Sequence, residues 1–307
     1  MSASVESRVI SIGALHFDTI AHASLPIRPE TSTPARHSSK PGGVATNIAR
    51  ALVKLGIETG LVGALGEDGP AHTLLSQLTA EGIKLSHQVR KGFSTGQYLA
   101  LHDPDGELAA ACVDDKILSE APPGLFDRII AELKSSLPHG TIWFLDANLP
   151  EAMLHRIIET IGKGRLIANA VSNAKAPRLK AVLGKLDCLM LNRGEAIALT
   201  GLAEESTAER LVDALHNMGL KNLVLTSGSS DVLLLESGSL TRFSPPPVDV
   251  VDVTGAGDAL TAGTIAALAN GKALKEAVPY GLSAAAMTLQ NTGALAQGLS
   301  WDAIENF

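Results

Sequence analysis

Residues 251–258 read VDVTGAGD and run directly into ALTAGTIAAL. A glycine-rich turn opens an apolar helix there, with Asp258 in its first turn. Backbone N–H groups at a helix start have no intrahelical partner, and with the helix dipole they attract anions. Gly255 and Gly257, flanking Ala256, let a ligand approach the backbone closely. A cradle for a negative group beside a carboxylate is what phosphoryl transfer to a hydroxyl needs: positioning, charge stabilisation and a base for the proton. The helix start favours the charged carboxylate, so Asp258 is expected to be ionised at neutral pH. Taken alone, the segment equally suits an acidic first turn that only stabilises its helix.

Four further clusters have the same double character. Asp18 follows a glycine-ended first strand, where it either caps a turn or holds a ligand. Residues 41–47 read PGGVATN: Gly42 and Gly43 open the backbone, and Asn47 adds a donor and an acceptor. A loop with a helix cap is the plainer alternative. Asn192 and Glu195, in NRGE, lie on one side of a nascent helix. They could orient water around a Mg²⁺ held chiefly by phosphates, or simply cap that helix. Thr226-Ser227-Gly228 is a small polar turn that could border a nucleotide.

The elements around these clusters alternate. Residues 7–13 read as a strand, 46–55 as a helix with Ile48, Ala51, Leu52 and Leu55 on one face, and 58–64 as a buried strand. Helix 70–81 has Pro70 near its start and Gly82 at its end. Further helices are read at 125–137, 150–161, 176–183 and 207–218. Strands are read at 141–146, 165–170, 187–191, 222–226 and 231–236. Repeated βα alternation implies an α/β fold with a mainly parallel sheet and helices on both faces. Two stretches break the rhythm. Residues 25–40 are rich in Pro, Ser and Thr and read as a loop or mobile flap. Residues 96–102 and 107–113 flank DPDG, a turn, and read as a hairpin. Together they read as a small β lid, inserted at about 15–39 and 94–115 of one domain spanning 1–307.

Composition narrows the partners. The 307 residues are 45% hydrophobic and only 3% aromatic, with net charge −7. That suits small-residue helix–sheet packing and argues against nucleic-acid binding. Cys112 and Cys188 make no metal-ligand spacing, the histidines (His16 and His102 among them) are scattered, and no apolar run reaches the length of a membrane span. A cytoplasmic protein without membrane partners is expected. GxxxxGK[ST], GxGxxG after the first strand, HExxH and GxSxG are all absent.

GGVATN, NRGE and DVTGAGD, in that order, resemble the PfkB, or ribokinase-like, family of carbohydrate and nucleoside kinases, from Val9 to about Trp301. The resemblance implies a Rossmann-type three-layer α/β/α domain with a small β-sheet lid, using ATP and Mg²⁺. It implies Asp258 as catalytic base and Gly255, Ala256 and Gly257 as the anion hole. Asp18, Gly42, Gly43 and Asn47 would hold sugar hydroxyls. Asn192 and Glu195 would organise Mg²⁺ and phosphates, with Glu195 acting through water. Thr226 and Gly228 would border ATP. Many members use a monovalent cation such as K⁺. Asp252 and the Thr254 backbone would bind it, with Thr288 and Gly293, although Val253 stands where the family often has Thr. Several stretches are most similar to the family's pseudouridine kinases: PGGVATNIARALVKLG, STGQYLALHDPDGELAAACVDD, DANLP and VSNAKAPRLK. On that basis Ser94, Thr95, Gln97 and Asn148 would contact a nucleoside. Ribose, another sugar or a purine nucleoside are alternative acceptors, and a non-catalytic sugar or nucleoside sensor is an alternative of another kind. Pairing of lid edges into a homodimer is expected.

Overall fold

The structure, a computed structural model, describes residues 9–307; residues 7 and 8, read into the first strand, lie outside them. From β1 (Val9–Ile12) the chain leaves the main layer at once for two lid strands, β2 (His16–Ala23) and β3 (Ala35–Gly42). It returns through α1 (Val44–Lys54), β4 (Thr59–Leu65), α2 (Gly69–Ala80) and β5 (Lys84–Val89). The hairpin β6 (Gly96–His102) and β7 (Leu108–Asp114) completes the lid. Then follow α3 (Lys116–Ser119), α4 (Asp127–Ser136), β8 (Ile142–Asp146), α5 (Glu151–Ile161) and β9 (Arg165–Asn169). After a 3₁₀ segment, Ala176–Lys185, come β10 (Cys188–Asn192), α6 (Arg193–Thr200), α7 (Ala208–Asn217) and β11 (Asn222–Thr226). The antiparallel pair β12 (Val232–Glu236) and β13 (Ser239–Phe243) precedes α8 (Ala256–Ala269), α9 (Leu274–Leu289) and α10 (Trp301–Glu305).

The large sheet runs β13-β12-β11-β10-β9-β8-β1-β4-β5 and is parallel from β11 to β5. Strands β4 and β8 are buried along their whole length, as strands covered on both faces must be. β1 lies between β8 and β4, so the chain departs from it in both directions. In open α/β sheets that switch point leaves a crevice beyond the strands' carboxyl ends. Helix α8 is buried all round from Ala259 to Leu268, because it is wedged between α1 and α9. Its position puts residues 255–258 at the mouth of the crevice.

The four lid strands form a second sheet, β3-β2-β6-β7. Residues 35–42, read from sequence as loop, are a strand. Only the last two are buried, so no alternation marks them; pairing with β2, from His16↔Gly42 to Ala23↔Ala35, holds them instead. β5 is an edge strand, KLSHQV, half-buried over its middle four residues and exposed at both ends, so no alternation marks it either. The segment expected as an α-helix at 176–183 winds as 3₁₀. Among the described residues no helix is long and apolar enough to cross a membrane.

Candidate active site

The floor of the crevice is organised by Asp146, at the end of β8. Its carboxyl is fully buried. Oδ2 accepts the N–H of Ala14 at 3.0 Å and of Ala45 at 2.9 Å, and Oδ1 accepts that of Asn148 at 3.0 Å. One side chain thereby ties the exit of β1, the start of α1 and the loop after β8 together. Burial raises its pKa, against the pull of these hydrogen bonds.

Asp258 lies across the crevice from this anchor, in the first turn of α8. Asn47 on α1 donates Nδ2–H to Asp258 Oδ2 at 2.9 Å, joining two of the sequence clusters 211 residues apart. Desolvation pushes the Asp258 carboxyl up to about 7; the Asn47 hydrogen bond opposes the rise, and the charges of Asp146, Glu195 and Asp18 add to it. The expectation of a fully ionised carboxylate at neutral pH is therefore corrected: burial, reinforced by three neighbouring acids, outweighs the helix N-terminus. Asp18 faces the same space from the lid. A Cβ on Gly42 would stand 1.9 Å from its Oδ2, so only glycine lets the carboxylate lie there. Burial pushes Asp18 up to about 6, against the Lys40 charge, and its Oδ1 is buried with no partner among the described residues.

The turn before Asp258 is shaped by Gly255. Its φ of +77° suits glycine, and a Cβ there would meet Ala294 Cα at 2.4 Å. A Cβ on Gly257, by contrast, would meet nothing within 4 Å, so that backbone faces open space. The turn borders a polar cleft of about 190 Å³, which Asn192, Glu195 and Thr226 also line. Asn192 and Glu195 form a reciprocal capping box on α6: Glu195 N–H donates to Asn192 Oδ1 at 2.9 Å, and Asn192 N–H to Glu195 Oε2 at 2.8 Å. The capping reading is thus realised, and it also aims a buried carboxyl into the cleft. Desolvation raises the Glu195 pKa. Mg²⁺ is held by one or two carboxylates and substrate phosphates, so a single acidic side chain here fits it. A larger apolar groove of about 620 Å³ adjoins, sharing Thr226, Gly257 and Leu260 and bordered by Gly228, Val250 and Leu289.

The pfkB family carbohydrate kinase model matches residues 6–301. The chain belongs to the PfkB family. Pseudouridine kinase of Escherichia coli K12 is 28% identical over 92% of this chain and 90% of its own. A carbohydrate kinase from Agrobacterium tumefaciens is 32% identical, with a TM-score of 0.87 over 98% of this chain and 96% of that one. Ribokinase of Arabidopsis thaliana, solved with ribose and ATP, shares the fold at 24% identity and a TM-score of 0.81, over 98% of each chain.

In this PfkB-family kinase not every residue singled out from the sequence reaches the crevice. Thr95 is fully buried and does not: its hydroxyl donates to Asp68 Oδ1 at 2.6 Å and accepts from Gly66 N–H at 3.0 Å. It pins the start of β6 to the N-cap of α2. Gln97 is exposed on the other face of the lid, since Asp18 is in register with its neighbour Tyr98. Ser94 is exposed as well. The Asn148 amide is already engaged, donating to Asp146 Oδ2 at 3.0 Å and accepting from Lys175 Nζ at 2.5 Å. Lys175 is the residue the sequence reading passed over, although VSNAK was the signal for it. His16 lies nearby, buried, with its Nε2 unpartnered among the described residues; burial and the Lys175 charge push its imidazole down to about 4. Asp252, Thr254 and Gly293 do come together, the N–H groups of Thr254 and Gly293 donating to the two Asp252 oxygens at 2.8 and 2.7 Å. The Thr288 hydroxyl turns away, donating to Ala284 O at 2.9 Å.

Proposed function

We propose that this kinase transfers the γ-phosphoryl group of ATP to the primary hydroxyl of a nucleoside, with pseudouridine as its preferred acceptor. The observation that carries the reading is the Asp258 carboxyl. It is held by Asn47, faces Asp18 of the lid, and adjoins the open backbone of Gly257. The apolar groove suits the adenine of ATP, and the polar cleft its phosphates. Asn192 and Glu195 would hold Mg²⁺ through water and phosphate oxygens, and that ion supplies charge neutralisation on the phosphates. Asp18, with the backbone at Gly42 and Gly43, orients the sugar. The ionised Asp258 accepts the hydroxyl proton as the oxygen bonds to the γ-phosphorus. The bond from that phosphorus to the β–γ bridging oxygen breaks, and ADP leaves. The N–H groups at Gly255, Ala256 and Gly257 stabilise the charge on the phosphoryl in flight.

The choice of acceptor is supported by what lies under the lid and by the similarity to the Escherichia coli pseudouridine kinase. Three buried side-chain atoms lack partners among the described residues: Asp18 Oδ1, His16 Nε2 and Ser227 Oγ. Leaving such an atom unpaired costs about 1–3 kcal/mol, so ligand groups are their natural partners. The first two lie at the lid and the third at the nucleotide turn. The base of pseudouridine carries two ring N–H groups and two carbonyls. His16 Nε2 and the Lys175 ammonium offer complementary groups. In an ADP-release screen of pseudouridine, uridine, cytidine, adenosine, ribose and fructose, pseudouridine is expected to lead in kcat/KM by about 10-fold or more. Equal turnover of uridine would refute the base assignment. No turnover of any acceptor would refute the catalytic reading and favour a sensor.

The lid also offers a second copy of this chain a pairing edge. β7 is its outer strand, exposed throughout, with Leu108 and Val113 each 53% exposed. Unpaired strand edges with apolar side chains favour association. A homodimer is the expected species in sedimentation, and a monomer across the micromolar range would exclude lid pairing.

A further inference from the structure

Lys40 stands on β3 directly opposite Asp18 in the β2–β3 register, so the two side chains share the face of the lid that looks into the crevice. Its ammonium reaches the loop after α9: a Cβ on Gly293 would stand 2.8 Å from Lys40 Nζ. Gly293 in turn donates its N–H to Asp252 Oδ2 at 2.7 Å. Among the described residues, the Lys40 ammonium makes no hydrogen bond and no ion pair within 4.0 Å. It is a half-buried positive charge lying between two acids without being committed to either. Its field pulls down the carboxyl pKa of Asp18, against burial, and contributes with the Thr254 and Gly293 hydrogen bonds to holding Asp252 below the usual carboxylate range.

This is the loop where resemblance to the family implies a monovalent cation. With the Lys40 ammonium in place the residues present do not fit one. A dehydrated K⁺ needs several oxygens to replace its water, and an oxygen that accepts one N–H keeps a second lone pair for it, so what excludes the ion here is the charge already in place. Both Asp252 oxygens already accept backbone N–H groups. The Thr288 hydroxyl is donated to Ala284, and its carbonyl accepts Asn291 N–H at 3.0 Å. The Leu289 carbonyl accepts the N–H groups of both Val251 and Asp252. These hydrogen bonds fix where the loop's oxygens point, and a lysine ammonium, compact and cationic like K⁺, already lies against the loop.

We infer that Lys40 acts as a tethered cation, supplying at the Asp252–Gly293 loop the positive charge that other members of the family take from a monovalent ion, so that this kinase works without K⁺. Lys40 rides on the lid, while Asp252 leads into the Gly255 turn. The charge that steadies the anion hole therefore arrives with the lid strand. Lys40 is a positioning residue in this scheme; it acts on the turn, and the turn acts on the phosphoryl group.

The inference rests on the kinase reading for its catalytic arm only, so the test has two arms. The first measures ADP release in KCl and in tetramethylammonium chloride at a matched ionic strength of about 0.1 M, where screening is equal. The wild type is expected to turn over at rates within about twofold in the two salts, and Lys40→Met to lose about 10- to 10²-fold in the tetramethylammonium salt and to regain most of it in KCl. Lys40→Arg, which keeps the charge, is expected to remain indifferent to K⁺. The second arm is thermal melting without substrates, which stands even if no acceptor is turned over. The wild type should melt at the same temperature in both salts, and Lys40→Met should be stabilised by KCl specifically. Activation or stabilisation of the wild type by K⁺ would overturn the inference. So would a Lys40→Met protein that is equally impaired in both salts, or one that K⁺ leaves unchanged in the melt.

Discussion

Asp258→Asn is expected to lower kcat/KM by about 10²–10⁴-fold, the usual cost of removing a general base. The amide keeps the size of the side chain and a carbonyl oxygen for the Asn47 donor, so the fold should survive. The same substitution makes a stability prediction of opposite sign. The carboxyl pKa rises from 3.8 to about 7 in the folded protein, chiefly through desolvation. Between those values the folded state binds more protons than the unfolded chain, so this group's contribution to stability falls as pH rises. Asn carries no charge to desolvate. The ligand-free variant should therefore melt higher than the wild type at about pH 8, with the difference shrinking toward zero below about pH 3, where the carboxyl is protonated in both states. In the free wild-type enzyme, kcat/KM should rise with pH through about 7 as the base ionises. Near-normal turnover in the variant would remove Asp258 from the mechanism. No gain in melting temperature at the higher pH would mean that burial among these neighbours imposes no cost on the charged carboxyl.

Asp146→Ala is expected to be the most damaging substitution for the fold, at about 3–5 kcal/mol in a urea titration. The carboxylate accepts three backbone N–H groups, from Ala14, Ala45 and Asn148, in a place with no access to water. Alanine leaves all three donors buried and unpaired. It also leaves Asn148 Nδ2 without its acceptor, which would loosen the hold on Lys175. Three loops of the crevice depend on this one side chain, so activity should fall further than the lost stability alone implies. A loss below about 1 kcal/mol would show that these loops support themselves.

The residue order alone carried much of this molecule. The βα alternation, the glycine-opened helix Ala256–Ala269 and the hairpin around 103–106 are local patterns of period and turn chemistry, and each forms where its pattern lies. GGVATN, NRGE and DVTGAGD marked the stretches that meet at the crevice. What spacing could not express is what one buried atom does to another distant in the chain. Asp146 looked like the end of a strand; only packing made it the acceptor for loops 101 and 132 residues away. Thr95 and Gln97 sit in the right segment, yet burial beside Asp68 and the two-residue period of a strand turn them from the acceptor space. The helix start alone favours an ionised Asp258, whereas burial in the crevice, with the charges of Asp146, Glu195 and Asp18 from three other elements, raises its pKa. Lys40 lay in a polar stretch with no periodicity at all. Its meaning depends on strand pairing across a lid and on a loop more than two hundred residues later, and an electrostatic field takes its distances from the fold, not from the sequence.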